Sequence, residues 1–568
     1  MKALYKILPL FAAGALLASC NEMDTEPNAG YVTEGQKQEV VERNPEMLAA
    51  GVATLPALLK PMQSTSSRHD DYGVASIGLK TDSRGMDMMA YNVGFNWYSG
   101  QLMWTDYTDT AESADFVWRY MYNMIYSINN VLRTLPEDLS GDDVRFNAAQ
   151  AYAFRAYAYF MLAQHFQYTY KGNEDKPCVP LITEENSEEV AAAGGAPRAS
   201  VQDVYTQIKS DIDTAIELLD GTSYTAATDA ANKMFIYLNV AYGLRARINL
   251  VMNNWGQAAS DADNAIQLSQ AKGLTPYTFA ELINRQSDGT VQPSGFYDGN
   301  DHSWMWDINY TKDDTQYQWT NTNFVSFASS FSYSGGYTTL GAWRYAGAQF
   351  YNNIPSSDVR KLWWINPYET HNGIWWNDPE DGHWVTMPSA YVSWVQSNCK
   401  MSKGIRYLNV KFNRLGGMAE SEARTGDNVL MRVEEMYMIK AEAEAMAGNP
   451  GTGAQTLRDF VTTYRDPQYS LSASSAEAVQ EAVWNQRRIE FWGEGISYLD
   501  ILRLKKGIDR RGQGFEPAAC YNIPATDLAM IYMIPRSEAD QNPNLGGNNE
   551  KGNKPTAVTD TETYNWEW

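Results

Sequence analysis

Cysteine is scarce in this chain of 568 residues, which has four: Cys20, Cys178, Cys399 and Cys520. None has metal-ligand spacing, and the last three are too far apart to read as a disulfide framework. With Cys20 spoken for, as argued below, at most one disulfide can form. Histidine is nearly as rare, with His69, His165, His302, His371 and His383. None of them opens a His-Glu-x-x-His helix, so no zincin site is present. The chain also lacks a Gly-x-Ser-x-Gly elbow, a Gly-x-x-x-x-Gly-Lys phosphate loop and a Gly-x-Gly-x-x-Gly turn. No cofactor and no metal-binding motif is therefore expected. Positive charge is in deficit, with 45 Lys and Arg against 68 Asp and Glu and a net charge of −23. Such a surface repels polyphosphate, and nucleic acid is excluded as a partner class.

Long hydrophobic runs are missing too. The longest, Ile7 to Leu17, has 11 residues and follows Lys2 and Lys6. A bilayer span needs about 20, whereas a basic start and a short apolar core describe a secretory signal. The run ends in Leu17-Ala18-Ser19-Cys20, which resembles the lipobox of bacterial lipoproteins. That resemblance implies removal of residues 1–19 and lipidation of Cys20, followed by a polar tether over 20–45. The expected location is the outer membrane, lipid-anchored and facing the cell surface.

The remaining 549 residues carry two textures. Val117, Met121, Met124, Ile128, Leu132 and Leu135 recur every three or four positions, which predicts a helix with one apolar face. The same spacing recurs through Tyr152, Ala156, Tyr159, Ala163 and Phe166. Ser200 offers an N-cap to a third stripe through Val204, Ile208, Ile212, Ala215 and Leu219. A fourth runs from Ile236 to Val251, and a shorter one from Ala258 to Leu268. Paired amphipathic helices around Asn254-Trp255-Gly256 resemble tetratricopeptide-type repeats, which stack into a curved scaffold. The expected fold is mainly α, a helical-repeat scaffold over 46–272 and again over 426–568, where helices resume at Leu430, Val433, Tyr437 and Ala441. Between them, 273–425 loses helical periodicity and holds ten of the 18 tryptophans. It reads as a loop-rich insertion, and long irregular stretches in compact proteins are usually functional.

Four blocks in this order match one known family. They are Arg155-Ala156-Tyr157-Ala158-Tyr159-Phe160 with Val179-Pro180-Leu181; Arg432-Val433-Glu434-Glu435-Met436-Tyr437 with Ala441-Glu442-Ala443; Arg487-Arg488-Ile489-Glu490-Phe491-Trp492-Gly493-Glu494-Gly495 with Asp500 and Arg503; and Ile534-Pro535 with Asn542-Pro543-Asn544. Behind a lipobox they resemble the SusD/RagB nutrient-binding lipoproteins, although Ser497 and Leu504 depart from the family's usual Arg and Trp. The resemblance implies a helical body, a ligand face built from inserted loops, non-catalytic capture of an oligosaccharide, and docking on a SusC-like TonB-dependent transporter. A peptide-binding member of the same family and a surface glycosidase are the alternatives. A glycosidase needs only two carboxylates at a set distance, and 68 acidic residues do not decide against that.

Candidate ligand residues follow from chemistry. An indole covers the C–H face of a sugar while a neighbouring polar group meets its hydroxyls. Trp304 and Trp306 beside Asp307, Trp319, and Trp343 beside Arg344 have that composition. The earlier stretch from Arg68-His69-Asp70-Asp71-Tyr72 through Asp82, Asp87, Trp97 and Trp104 is a second candidate wall. The alternative for each Trp is to be the core of a loop-rich part, and for each Asp to cap a turn. Within the charged blocks, Arg487 with Glu490 and Arg432 with Glu435 stand at i,i+3 and are expected to pair on a helix face.

Overall fold

The computed structural model describes residues 45–60, 69–90, 97–283, 296, 298–314, 344–365, 374–377, 384–386, 407–409, 411–412, 425–472 and 475–561. The chain is mainly α-helical. Its helices are α1 (Pro45–Val52), α2 (Val74–Arg84), α3 (Glu112–Leu132), α4 (Asp142–Phe166), α5 (Val201–Leu219), α6 (Leu238–Val251), α7 (Trp255–Gln270), α8 (Val433–Met446), α9 (Pro450–Tyr464), α10 (Ala476–Glu490) and α11 (Ser497–Arg503), with several short turns besides. None of the described helices is long and apolar enough to cross a membrane.

The helices pack in chain order, α3 on α4, α4 on α5, α5 on α6, and α6 on α7. The row then skips more than 160 residues. Helix α8 packs on α7, and α9 and α10 pack on α8. The second helical part thus extends the stack that the first began, and the described strand Trp304–Ile308 of the intervening segment packs on α6. The stripe on α3 is buried at Val117, Met121, Met124, Ile128 and Leu132. Helix α4 differs from its expected single stripe. Ala148, Ala149, Ala151, Ala153, Ala156 and Ala158 are fully buried around its circumference, as befits a helix covered on all sides. Their small side chains let neighbours close in from every direction. Ser200 caps α5 as expected, its Oγ accepting from Asp203 N at 3.0 Å.

Leu430 is not helical. It lies in a strand, and α8 starts at Val433. The sequence in between pairs with a distant partner that no local period reveals. The described strands are short: β1 (Met88–Ala90), β2 (Trp304–Ile308), β3 (Arg344–Ala346), β4 (Trp364–Ile365), β5 (Leu408–Asn409) and β6 (Asn428–Arg432), plus three small two-stranded pairs. One antiparallel sheet has the order β1-β3-β5-β4, and β2 pairs antiparallel with β6, Asp307 facing Val429. The first sheet joins the 69–104 wall to the loop-rich segment. The second joins that segment to the start of α8. Cys178 and Cys520 are buried free thiols; Cys399 lies outside the described residues.

Between the helices runs a buried charge lattice. Glu490 accepts from Arg465 Nε at 2.8 Å, Arg432 Nη1 at 3.0 Å and Arg360 Nη1 at 3.2 Å. Burial alone would raise this carboxyl, but Arg465, Arg432 and Arg360 outweigh it and hold Glu490 well below the usual carboxylate range. Glu494 takes Arg432 and Lys411 at 2.8 and 2.6 Å. The expected i,i+3 pairs do not form. Arg487 binds Asp500 at 2.6 Å instead of Glu490, and Glu435 is taken by Arg247. The reason is burial: i,i+3 pairing suits a solvated helix face, whereas these groups point between elements, where each charge must meet its counter-ion across the core. At the turn after α10, Gly495 has φ +78° and lies against Gly78 of α2, so a Cβ there would meet Gly78 Cα at 2.6 Å. This close approach fixes α2 onto the scaffold.

Candidate functional site

Helix α2 links the scaffold to the candidate wall. Its N-terminal end is held by Asp70, whose carbonyl accepts from Ser76 Oγ at 2.5 Å and Lys80 Nζ at 2.9 Å, while its carboxylate pairs with Lys80 at 3.3 Å. The Lys80 ammonium also lies 4.3 Å from the Phe116 ring centre. Tyr72 and Tyr98 share a 2.6 Å hydroxyl contact, and the Arg344 guanidinium sits 4.9 Å over the Tyr98 ring. Burial raises both phenols, so they stay neutral donors and acceptors at physiological pH.

In the same stretch, the rings of Trp97 and His69 stack at 5.6 Å and 16°, and both are part-exposed. Partial burial lowers the His69 pKa, outweighing the raising effect of Asp70, and the ring is neutral near pH 7. Tyr310 OH donates to Tyr72 O at 3.2 Å, and the Lys60 ammonium lies 5.9 Å from the Tyr310 ring centre. Lys60 in turn pairs with Asp314 at 3.0 Å, both part-buried. The His69–Trp97 aromatic pair and the Lys60–Asp314 ion pair are each part-exposed. An aromatic face with a few fixed polar groups is the make-up of a small-molecule site.

Among the described residues singled out in sequence, His69 and Trp97 form this part-exposed pair. Trp104 is fully buried, its Nε1 donating to Arg84 O at 3.2 Å and its ring covered by the Arg84 guanidinium at 4.4 Å. Trp304 and Trp306 are likewise fully buried; Trp306 donates to Met234 O at 3.2 Å and meets Tyr157 edge-on at 5.0 Å. Trp363 and Trp364 are buried too. For these residues the structure favours the core alternative, because a loop-rich part short of aliphatic side chains fills its interior with indoles. Asp82 is buried and accepts from Gly495 N at 2.9 Å, and burial pushes its carboxyl up to about 7. Asp87 is a buried strut, bidentate to Arg488 at 2.6 and 2.8 Å. Trp319 and Trp343 lie outside the described residues, as does Cys20. Sequence reading did not single out Lys60, Tyr98, Tyr310 or Asp314. His69 stood with Trp97 in the candidate stretch, whereas no local pattern marks these four residues.

Comparison with known proteins adds the following. A family model described as starch-binding and associating with the outer membrane, SusD-like, matches residues 49–250. The SusD family model matches residues 303–565. No curated protein sequence matches the chain. Among solved structures, a SusD-like carbohydrate binding protein from Bacteroides vulgatus is 24% identical, with a TM-score of 0.67 over 91% of this chain and 98% of that one. A SusD superfamily protein from Bacteroides thetaiotaomicron is 19% identical, with a TM-score of 0.65 over 89% and 99%. Another from Parabacteroides distasonis is 17% identical, with a TM-score of 0.63 over 90% and 99%. At such identities the structural likeness shows a shared fold.

Proposed function

The chain belongs to the SusD/RagB family, and from that membership we propose that it binds an oligosaccharide at the cell surface without cleaving it. It is held by lipid on Cys20 and passes its ligand to a SusC-like TonB-dependent transporter in the outer membrane. The observation that carries the ligand reading is the part-exposed His69–Trp97 stack. A sugar ring offers one apolar face and a hydroxyl rim, and the stack offers a part-exposed indole to that face. The carboxylates of the family blocks support a binder rather than an enzyme, since Glu490, Glu494 and Asp500 are buried in ion pairs that stabilise the scaffold. Trp319 and Trp343 are further proposed ligand contacts.

The test uses the chain from residue 22 on a glycan array, followed by calorimetry on the best binder. Trp97→Ala removes an aromatic face worth about 1–3 kcal/mol, or about a 5- to 150-fold loss of affinity, with an unchanged melting temperature. Trp306→Ala should do the reverse, because emptying a core tryptophan site costs about 3–5 kcal/mol of stability. Full-affinity binding by Trp97→Ala refutes the assigned site. Shortened glycan chains after incubation would point to a glycosidase, and binding confined to peptides would favour the peptide-binding alternative.

A further inference from the structure

A cleft of about 90 Å³ lies between α2, α4, α6 and the turn from α10 into α11, and neither His69 nor Trp97 lines it. Leu79, Phe160, Leu244, Leu250 and Leu499 form its apolar walls. A water takes about 30 Å³ of liquid, so there is room for about three waters or one molecule of about five heavy atoms. The polar lining shows which kind of molecule.

Every carboxylate oxygen in that lining is served. Glu435 accepts from Arg247 on both oxygens, with Nε at 2.8 Å. Asp500 accepts from Arg487 Nε at 2.6 Å on one oxygen, and from Arg487 Nη2 at 3.2 Å and Arg503 Nε at 2.7 Å on the other. Glu494 is filled by Arg432 and Lys411. Three donors are not served. Arg487 Nη1 is buried and meets no acceptor among the described residues. Arg247 spends Nε and Nη2 on Glu435 and Leu430 O, and its Nη1 meets no acceptor among them either. The third is Tyr157, 5% exposed, whose hydroxyl has no partner among the described residues. Burial raises this phenol, outweighing the lowering effect of Arg247, so it stays a neutral donor. The two guanidinium groups converge, since Glu435 Oε1 lies 2.8 Å from Arg247 Nε and 3.8 Å from Arg487 Nη2. Buried donors without an acceptor are costly, and the described chain supplies none here.

We propose that this cleft binds a small uncharged carbonyl compound, a short aliphatic amide, whose oxygen accepts from Arg247, Arg487 and Tyr157. Charge balance selects the head group. Each guanidinium in the lining already has its carboxylate: Arg247 has Glu435, Arg487 has Asp500, and Arg503 has Glu442. A carboxylate ligand would add an uncompensated negative charge beside Glu435, Glu494 and Asp500, and an ammonium would find no unserved carboxylate oxygen. A carbonyl brings the missing acceptor and no charge. The amide N–H has a partner in Gln164, whose Nε2 donates to Phe160 O at 3.2 Å while its Oε1 is unused among the described residues. The aliphatic end then lies on the leucine walls, the usual division of labour in a small-molecule site.

Propionamide is titrated into the full-length chain and followed by saturation-transfer NMR, with propionate and propylammonium as charged counterparts. Saturable binding of propionamide is expected, with a Kd on the order of 1–10 mM for so small a ligand. Tyr157→Phe removes only a hydroxyl that no described residue uses, so it should melt like wild type and bind about 2- to 10-fold more weakly. Leu499 is part-exposed, and Leu499→Trp fills the cleft and should abolish binding. No saturable propionamide signal means that the cleft holds water alone and overturns the proposal. Full-strength binding by Tyr157→Phe overturns the head-group assignment, and full-strength binding by Leu499→Trp overturns the cleft as the site. Propionate or propylammonium binding as tightly as propionamide overturns the choice of an uncharged head.

Discussion

Glu490→Gln removes one negative charge from a cluster with no measurable exposure. Glu490 meets three guanidinium groups, from Arg360, Arg432 and Arg465, all fully buried. The amide keeps the volume and one acceptor oxygen but turns the other position into a donor that faces a donor. Breaking a buried pair by neutralising one partner costs about 3–5 kcal/mol, because the surviving charges are left uncompensated. Unfolding entropy is about 2.1 cal/mol/K per residue, or about 1 kcal/mol/K if a chain of about 500 residues melts as one unit. The expected fall in Tm is therefore about 3–5 °C, read by calorimetry at pH 7 beside an exposed control such as Glu188→Gln. The pH arm supplies an independent check. Glu490 is held below its unfolded value, so its contribution is present above about pH 4 and disappears as pH falls through the lower folded value. Wild type should lose stability on acidification well below pH 4 more steeply than Glu490→Gln. A variant that melts within a degree of wild type, or that melts normally while losing ligand binding, refutes the reading of this cluster as a strut.

Asp82 has the opposite linkage. Its folded pKa, about 7, lies above the unfolded value, so stability is greatest at low pH and declines as pH rises towards 7. Asp82→Asn, which can still accept from Gly495 N, should therefore gain on wild type between pH 5 and pH 8 by an amount of order a few kcal/mol in denaturant titrations, and equal slopes with pH would contradict the assignment. Cys20→Ala should release the chain from membranes or leave it unprocessed, and a wild-type chain that takes up no labelled palmitate removes the lipid anchor from the proposed function.

Sequence reading was strongest where neighbours along the chain decide the outcome. The stripe on α3 and the Ser200 cap depend on residues within a few turns, and both stand in the structure. The four charged and aromatic blocks pointed to the family that the two matching family models show. The site was harder. Trp97 and Trp306 are the same residue type in similar polar company, and nothing local separates them; one is part-exposed and the other sealed by Tyr157 and Phe154 of α4.

What the sequence determined by itself was therefore periodicity, caps, charge balance and family, all properties of short windows or of their order. Only the tertiary structure decided which charges pair and which indoles are buried. Arg488 finds Asp87 401 positions away, and Arg432 finds Glu490 58 positions away rather than the Glu435 three residues on. The physical reason is that desolvation makes an unpaired buried charge intolerable, so partners are chosen by what the packed helices bring together, and packing is a property of the whole chain.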